Sequence, residues 1–151
     1  MCNFLSGIAL KNGEDVTVLM SLETDSHTEL RTEFKVGEDA GKPTHKLSTP
    51  VELVPIRGIL ADEDYDFVFD AGRPAWWTEE MTVSARRQMF RFIREHLLSE
   101  SKLSRSGNLY LSSLTALTAN AKLSAGGNLY LRSLTALPAN AKVTAQKVLL
   151  K

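Results

Sequence analysis

Residues 103–122 read LSRSGNLYLSSLTALTANAK, and residues 123–142 read LSAGGNLYLRSLTALPANAK. Sixteen of the twenty positions are identical. A third copy starts at Val143-Thr144-Ala145 and fades over Gln146 to Lys151. A period this short predicts a solenoid, in which each turn of chain stacks on the one before. Within each copy Leu109 and Leu111, echoed by Leu129 and Leu131, point inward across Tyr110 and Tyr130. Leu114 and Leu117 fill a second side and Leu123 a third, with Gly107, Gly126 and Gly127 as corners. Stacks of this kind need about three neighbouring repeats before the buried face offsets chain entropy. The last turn also leaves a parallel strand edge to be covered. Self-association is therefore expected.

Upstream of the repeats, Thr78 caps a helix expected over 79–98, with Glu79 and Glu80 in its first turn. Met81, Ala85, Met89, Phe92, Ile93, His96 and Leu97 recur at helical spacing as its apolar face, while Arg87, Arg91 and Arg94 line another side. Ser99 to Lys102 reads as a joint. Before the helix, Tyr65 to Asp70 alternates as a strand, with Tyr65, Phe67 and Phe69 on one face. Lys46 to Leu53 is extended, but Pro50 and Pro55 point to an edge or bulged strand. Strands near 3–10 and 15–20 flank Asn12-Gly13, which suits a type I′ turn. A short helix over 27–35 starts at Asp25 or Ser26, where Ser26 and Glu29 fit a capping box. Residues 37–44 read as a loop. The expected fold is thus an α+β head (1–98) followed by a short β-solenoid tail (103–151).

The 151 residues carry no net charge, yet residues 1–70 hold 14 acids and 6 bases and residues 71–151 hold 4 acids and 12 bases. The resulting −8 and +8 can be satisfied within one molecule or can drive head-to-tail association. A hydrophobic fraction of 43% suffices for a packed core. No apolar run reaches the roughly 18 residues of a membrane span. The start, Met1-Cys2-Asn3, lacks a basic leader. One cysteine excludes an internal disulfide framework. A cytosolic protein is the expectation.

No catalytic constellation outranks its ordinary structural reading. Cys2 occupies the position of an N-terminal nucleophile, whose own amine would serve as base once Met1 is removed. A 98-residue head is too small for the fold such hydrolases use, so Cys2 reads as a small apolar residue. Asp25-Ser26-His27 are consecutive, whereas triads assemble across a fold. His27, His45 and His96 are scattered without ligand spacing, and neither a metal nor a cofactor is expected. Asp62, Glu63, Asp64, Asp66 and Asp70 form an acidic patch without the glycine and terminal glutamate of an EF-hand loop. Arg86, Arg87, Arg91 and Arg94, with Lys102 and Arg105, form a basic stripe. The acidic first half offers that stripe a partner, so nucleic acid is disfavoured. Arginines near Trp76 and Trp77 could hold a small anionic ligand by phosphate contact and stacking. The candidate ligand or interface residues are Arg73, Trp76, Trp77, Arg87, Arg91, Arg94, Tyr110 and Tyr130.

Two resemblances add to this reading. The Leu-x-Leu-x-x-Leu-x-x-Leu-Pro phrase over Leu129–Pro138 resembles short bacterial leucine-rich repeats, which implies one short parallel strand per turn. The first hundred residues resemble an uncharacterised group of small bacteriophage and metagenomic proteins. The matching stretches are Met1-Cys2-Asn3-Phe4-Leu5-Ser6-Gly7-Ile8, Asn12-Gly13, Thr24-Asp25-Ser26-His27, Phe69-Asp70 and Pro74-Ala75-Trp76. The chain departs from the group at Glu14, at Thr28 and around Thr49-Pro50. The resemblance implies a phage origin, with a constant head joined to an exchangeable repetitive tail.

Together these readings lead to the expectation of a non-enzymatic phage accessory protein in the bacterial host cytoplasm. It would act by binding, as a homo-oligomer that blocks or sequesters a host component, with interference in antiviral defence as one such role. The rival expectations are a virion component assembled through the solenoid, a sponge for nucleotide signals, and a Cys2 hydrolase.

Overall fold

The computed structural model describes residues 4–22, 26–34 and 47–151. The elements run β1 (Leu5–Asn12), β2 (Asp15–Leu19), α1 (His27–Glu33), β3 (Ser48–Pro55), β4 (Tyr65–Phe69), α2 (Glu79–His96), β5 (Leu98–Ser99), β6 (Lys102–Arg105), β7 (Leu109–Tyr110), β8 (Lys122–Ala125), β9 (Asn128–Leu131), β10 (Lys142–Thr144) and β11 (Lys147–Leu150). A 3-10 turn covers Asp62–Asp64. The chain divides into two compact units, Met1–Leu53 with Phe67–Arg91 and Val54–Asp66 with Phe92–Lys151.

In the first unit β1 pairs antiparallel with both β2 and β3. The hairpin turns on Gly13-Glu14, because Asn12 already pairs with Asp15. Of these turn residues only Gly13 takes positive φ, at 65°. Glycine in the first central place is the type II′ pattern, so the expected Asn12-Gly13 type I′ turn is corrected by one residue. The sheet order β2-β1-β3-β4 puts β3 inside, not at an edge. Proline is tolerated there because Pro50 sits where the ladder to β4 ends. Its carbonyl accepts from the N–H of Asp70, one residue past that strand. Pro55 is the last residue of β3, so neither proline interrupts an inner hydrogen bond.

The helices cap as their sequences dictate. Ser26 Oγ accepts from Glu29 N–H at 3.4 Å, and Thr78 Oγ1 accepts from Met81 N–H at 3.3 Å. Met81, Ala85 and Met89 of α2 are buried, as is Leu30 of α1. The edge strand β2 is closed by a side chain. Gln88 Oε1 accepts from Val18 N–H at 2.9 Å, and Gln88 Nε2 donates to the Val16 carbonyl at 2.8 Å. One amide thus occupies the backbone groups that would otherwise invite another strand.

In the second unit each repeat supplies two short strands separated by a corner at Ser106–Asn108 or Gly126-Gly127. β6, β8 and β10 pair in parallel, and β7, β9 and β11 do the same. Lys102 lies beside Lys122, Leu103 beside Leu123 and Leu109 beside Leu129, so each residue meets its own copy. Leu103, Leu109, Leu111, Leu114, Leu123, Leu129 and Leu131 are all buried, each contributing about 1.5–3 kcal/mol relative to exposure. Gly126 is required at its corner, since a Cβ there would overlap the Ser106 carbonyl of the preceding copy. Residues 54–66 belong to this unit. Ser113 Oγ donates to the Pro55 carbonyl at 2.9 Å, and Thr115 N–H donates to the Ile56 carbonyl at 2.8 Å. The Tyr65 hydroxyl donates to the Ile59 carbonyl at 2.7 Å. Burial, then the nearby Asp64, pushes its phenol well above the usual range.

The expected α+β head with a two-turn β-solenoid is corrected. The described residues form a mixed α/β chain with two helices and several small sheets. The physical reason lies in the twenty-residue unit. Only six to eight of its residues are in strands, and the stretch from Ser112 to Ala121 runs as turns and irregular backbone. The implied single strand per turn becomes two. The third copy does not fade: Val148, Leu149 and Leu150 pair with Leu129, Tyr130 and Leu131. One residue is dropped at the corner, where Gln146 Nε2 donates to the Gly126 carbonyl at 3.1 Å. The expected joint is a hairpin, with Ser99 paired to Lys102. The expected loop over 37–44, together with Cys2, Asp25 and His45, lies outside the described residues.

Two outcomes test this architecture. Gln88→Ala is expected to lower unfolding stability by about 1–3 kcal/mol, because it strands a donor and an acceptor on β2. Denaturant titration reads this, and a change below about 0.5 kcal/mol, the range of ordinary surface substitutions, would contradict the edge-closing role. At the hairpin, Glu100 (φ 51°) and Ser101 (φ 66°) both hold left-handed backbone without being glycine. Replacing Glu100 by Asn and Ser101 by Gly is expected to stabilise by roughly 1–2 kcal/mol. An unchanged thermal midpoint would contradict that strain.

Candidate functional site

The residues singled out from sequence fall into separate places. Trp77 is buried behind β4, stacked on Phe67 at 5.7 Å and edge-on to Phe69 at 4.9 Å. Its Nε1 donates to Thr82 Oγ1 at 2.8 Å. Arg73 is held by Glu79 at 2.8 Å and donates to the Trp77 carbonyl at 3.4 Å. Trp76 is half-buried and lines a cleft of about 500 Å³ with Lys11, Gly13, Glu14, Thr78, Glu80 and Met81. Lys11 shares this lining with Glu14 and Glu80 and donates to the Gly13 carbonyl at 2.8 Å. The cleft thus has no surplus of positive charge for an anion.

The arginines of α2 lie beyond its first turn. Arg87 is eight positions past Glu79, where α2 begins, about 12 Å along the helix at 1.5 Å per residue. Its charge helps hold the exposed Asp15 carboxyl below the usual range, after hydrogen bonds from Ser84 and from Val16 N–H. Arg91 is exposed in the first unit and Arg94 is exposed in the second. Tyr110 and Tyr130 do meet. Their rings stack at 4.9 Å with 10° between planes, the spacing of adjacent strands. Arg132 lies 5.9 Å over the Tyr130 ring. In the next copy Leu149 takes this place and ends the aromatic column.

The acidic patch is mostly absorbed structurally. Asp64 Oδ2 accepts from Ala61 N–H at 3.1 Å, and Asp66 pairs with Arg57 at 2.6 Å. Asp70 is different. Its Oδ2 is 3.3 Å from His27 Nδ1, and the His27 Nε2 is 3.0 Å from the Val51 carbonyl oxygen. Next along β3 comes Glu52, which is 4% exposed and whose Oε1 has no hydrogen-bond partner among the described residues. One ligand atom from each of His27, Glu52 and Asp70 falls within 4.8 Å of the others. Opposite Glu52 on β1 sits Ser6, whose hydroxyl is also buried without a partner among the described residues.

Backbone register builds this cluster. β3 carries Glu52, the stretch closing β4 carries Asp70, and the first turn of α1 carries His27. In the sequence His27 lacks ligand spacing, Asp70 belongs to the acidic patch, and Glu52 stands in no motif. The one available signal was a charged residue inside the apolar run Val51-Glu52-Leu53-Val54. Such a residue is buried only at a cost unless it is paired.

Ser6→Ala is expected to raise stability by about 1 kcal/mol, since it removes a buried hydroxyl that has no hydrogen-bond partner among the described residues. A loss of similar size in thermal unfolding would show instead that the hydroxyl is satisfied. Among the described residues no helix is long and apolar enough to cross a membrane. No protein family, curated protein or solved structure matches the chain.

Proposed function

We propose that this protein acts by binding rather than by catalysis, and that its first partner is another copy of itself. The observation that carries this reading is the outer side of the last repeat. β10 and β11 stand at the ends of their sheets, and no described strand pairs with their outer edges. Val143, Val148 and Leu150 are only half-buried there, whereas their counterparts Leu123, Leu129 and Leu131 in the preceding copy are fully buried. Parallel edges with half-covered apolar side chains gain both hydrogen bonds and apolar burial from a partner.

The opposite charges of residues 1–70 and 71–151 support association of copies, with a strength that falls as salt rises. The resemblance of the first hundred residues to small bacteriophage proteins supports an accessory role in an infected bacterial cell. There the assembled protein occupies a host component. The half-buried Tyr110 and Tyr130 offer such a component the edges of two stacked rings.

Light scattering on the full chain is expected to give a mass above the 16.7 kDa of one copy. Leu149→Lys places a charge on the outermost strand without entering the leucine-lined interior, and is expected to return the mass to that of one copy. A wild-type protein that stays single at tens of micromolar would overturn the proposal.

A further inference from the structure

The cluster at His27, Glu52 and Asp70 holds a buried carboxylate oxygen, Glu52 Oε1, that no hydrogen bond among the described residues answers. A carbonyl oxygen only accepts, so the contact of His27 Nε2 with the Val51 carbonyl at 3.0 Å fixes the proton on Nε2. In the neutral ring, Nδ1 then turns a lone pair toward Asp70 Oδ2 at 3.3 Å. Two acceptors at that distance repel unless something positive lies between them. A second proton on the ring would answer Asp70. It would leave the Glu52 oxygen, buried and without a hydrogen-bond partner among the described residues, still unanswered.

We propose that His27, Glu52 and Asp70 bind a divalent transition-metal cation through His27 Nδ1 and one oxygen of each carboxylate. A single cation meets all three atoms at once, which one proton cannot do. The second-shell arrangement is already present. A ligating imidazole ordinarily donates its other N–H to a backbone carbonyl or carboxylate, which fixes its tautomer and aim; here the Val51 carbonyl does this. One nitrogen with two carboxylate oxygens suits zinc or manganese, whereas magnesium and calcium prefer oxygen alone. Metal–ligand bonds of about 2.0–2.2 Å place neighbouring ligand atoms roughly 3–3.5 Å apart. The Nδ1–Oδ2 distance of 3.3 Å already satisfies this. The widest separation allowed by the 4.8 Å limit closes by about 1.5 Å through rotation of a carboxylate. The Asp70 side chain is 53% exposed, so the cation enters from that side and water completes its shell there. The bound ion ties the start of α1 to β3 and to the end of β4. This site is independent of any association between copies.

The test is calorimetric titration of chelator-treated full-length protein with zinc or manganese chloride, in a Cys2→Ser background that removes the thiol. One equivalent is expected to bind and to raise the thermal midpoint, with magnesium at least tenfold weaker, following the preference for imidazole-friendly ions. Glu52→Gln and Asp70→Asn are each expected to weaken binding by roughly tenfold or more, the least that perturbing a metal site's support costs. Asp70 lies at the surface, so its variant keeps the fold, and circular dichroism checks both. Absence of binding would overturn the proposal, as would binding unchanged in both variants. Equal affinity for magnesium would overturn the transition-metal assignment.

Discussion

A strand laid beside the strand twenty residues before it puts every side chain on its own duplicate, and the second unit depends on that condition. Like must pack on like. Leucine satisfies this inside, where Leu103 and Leu109 lie beside Leu123 and Leu129. Tyrosine satisfies it outside, where the parallel rings of Tyr110 and Tyr130 match the distance between neighbouring strands. Asparagine satisfies it at the corner, where Asn108 Oδ1 accepts the N–H of Asn128 at 2.8 Å while its Nδ2 donates to Tyr110 at 3.2 Å. A charge facing its own copy would repel, and the adjacent Lys102, Lys122 and Lys142 each open their strand, two of them exposed and Lys122 half-buried.

The first unit answers a different constraint, the exposed edge of an antiparallel sheet. Its solution is a side-chain amide in place of a strand. Gln88 takes the carbonyl of Val16 and the N–H of Val18, and also donates to Ser84 at 3.1 Å. The same helix brings Met81, Ala85 and Met89 into the core. One face of α2 thus buries apolar surface while its neighbouring positions finish the sheet.

Several features were legible before any coordinates. Alternation at Tyr65–Phe69 and helical spacing after Thr78 both predicted the elements they formed, because each pattern runs long enough to exceed chance. The pairs β6/β7 and β8/β9 were not legible, since strands of two to four residues fall below the length at which alternation carries information. The interior place of β3 was hidden by Pro50, whose tolerance depends on where its neighbour ends. The cluster of His27, Glu52 and Asp70 had no spacing to betray it, because antiparallel register and a helix start bring the three together. Its trace in the sequence was one acid among valines and leucines.

The corner at Gly126 and the shortened corner at Gln146 carry a consequence for how such a chain changes length. A duplicated segment usually brings surfaces that fit nothing already present. Here a newly inserted copy of residues 123–142 would meet leucine with leucine, tyrosine with tyrosine and amide with amide on both sides. Gene slippage could therefore add or delete whole units without a fresh packing problem to solve, and Gln146, by dropping one residue, marks where that interchangeability stops.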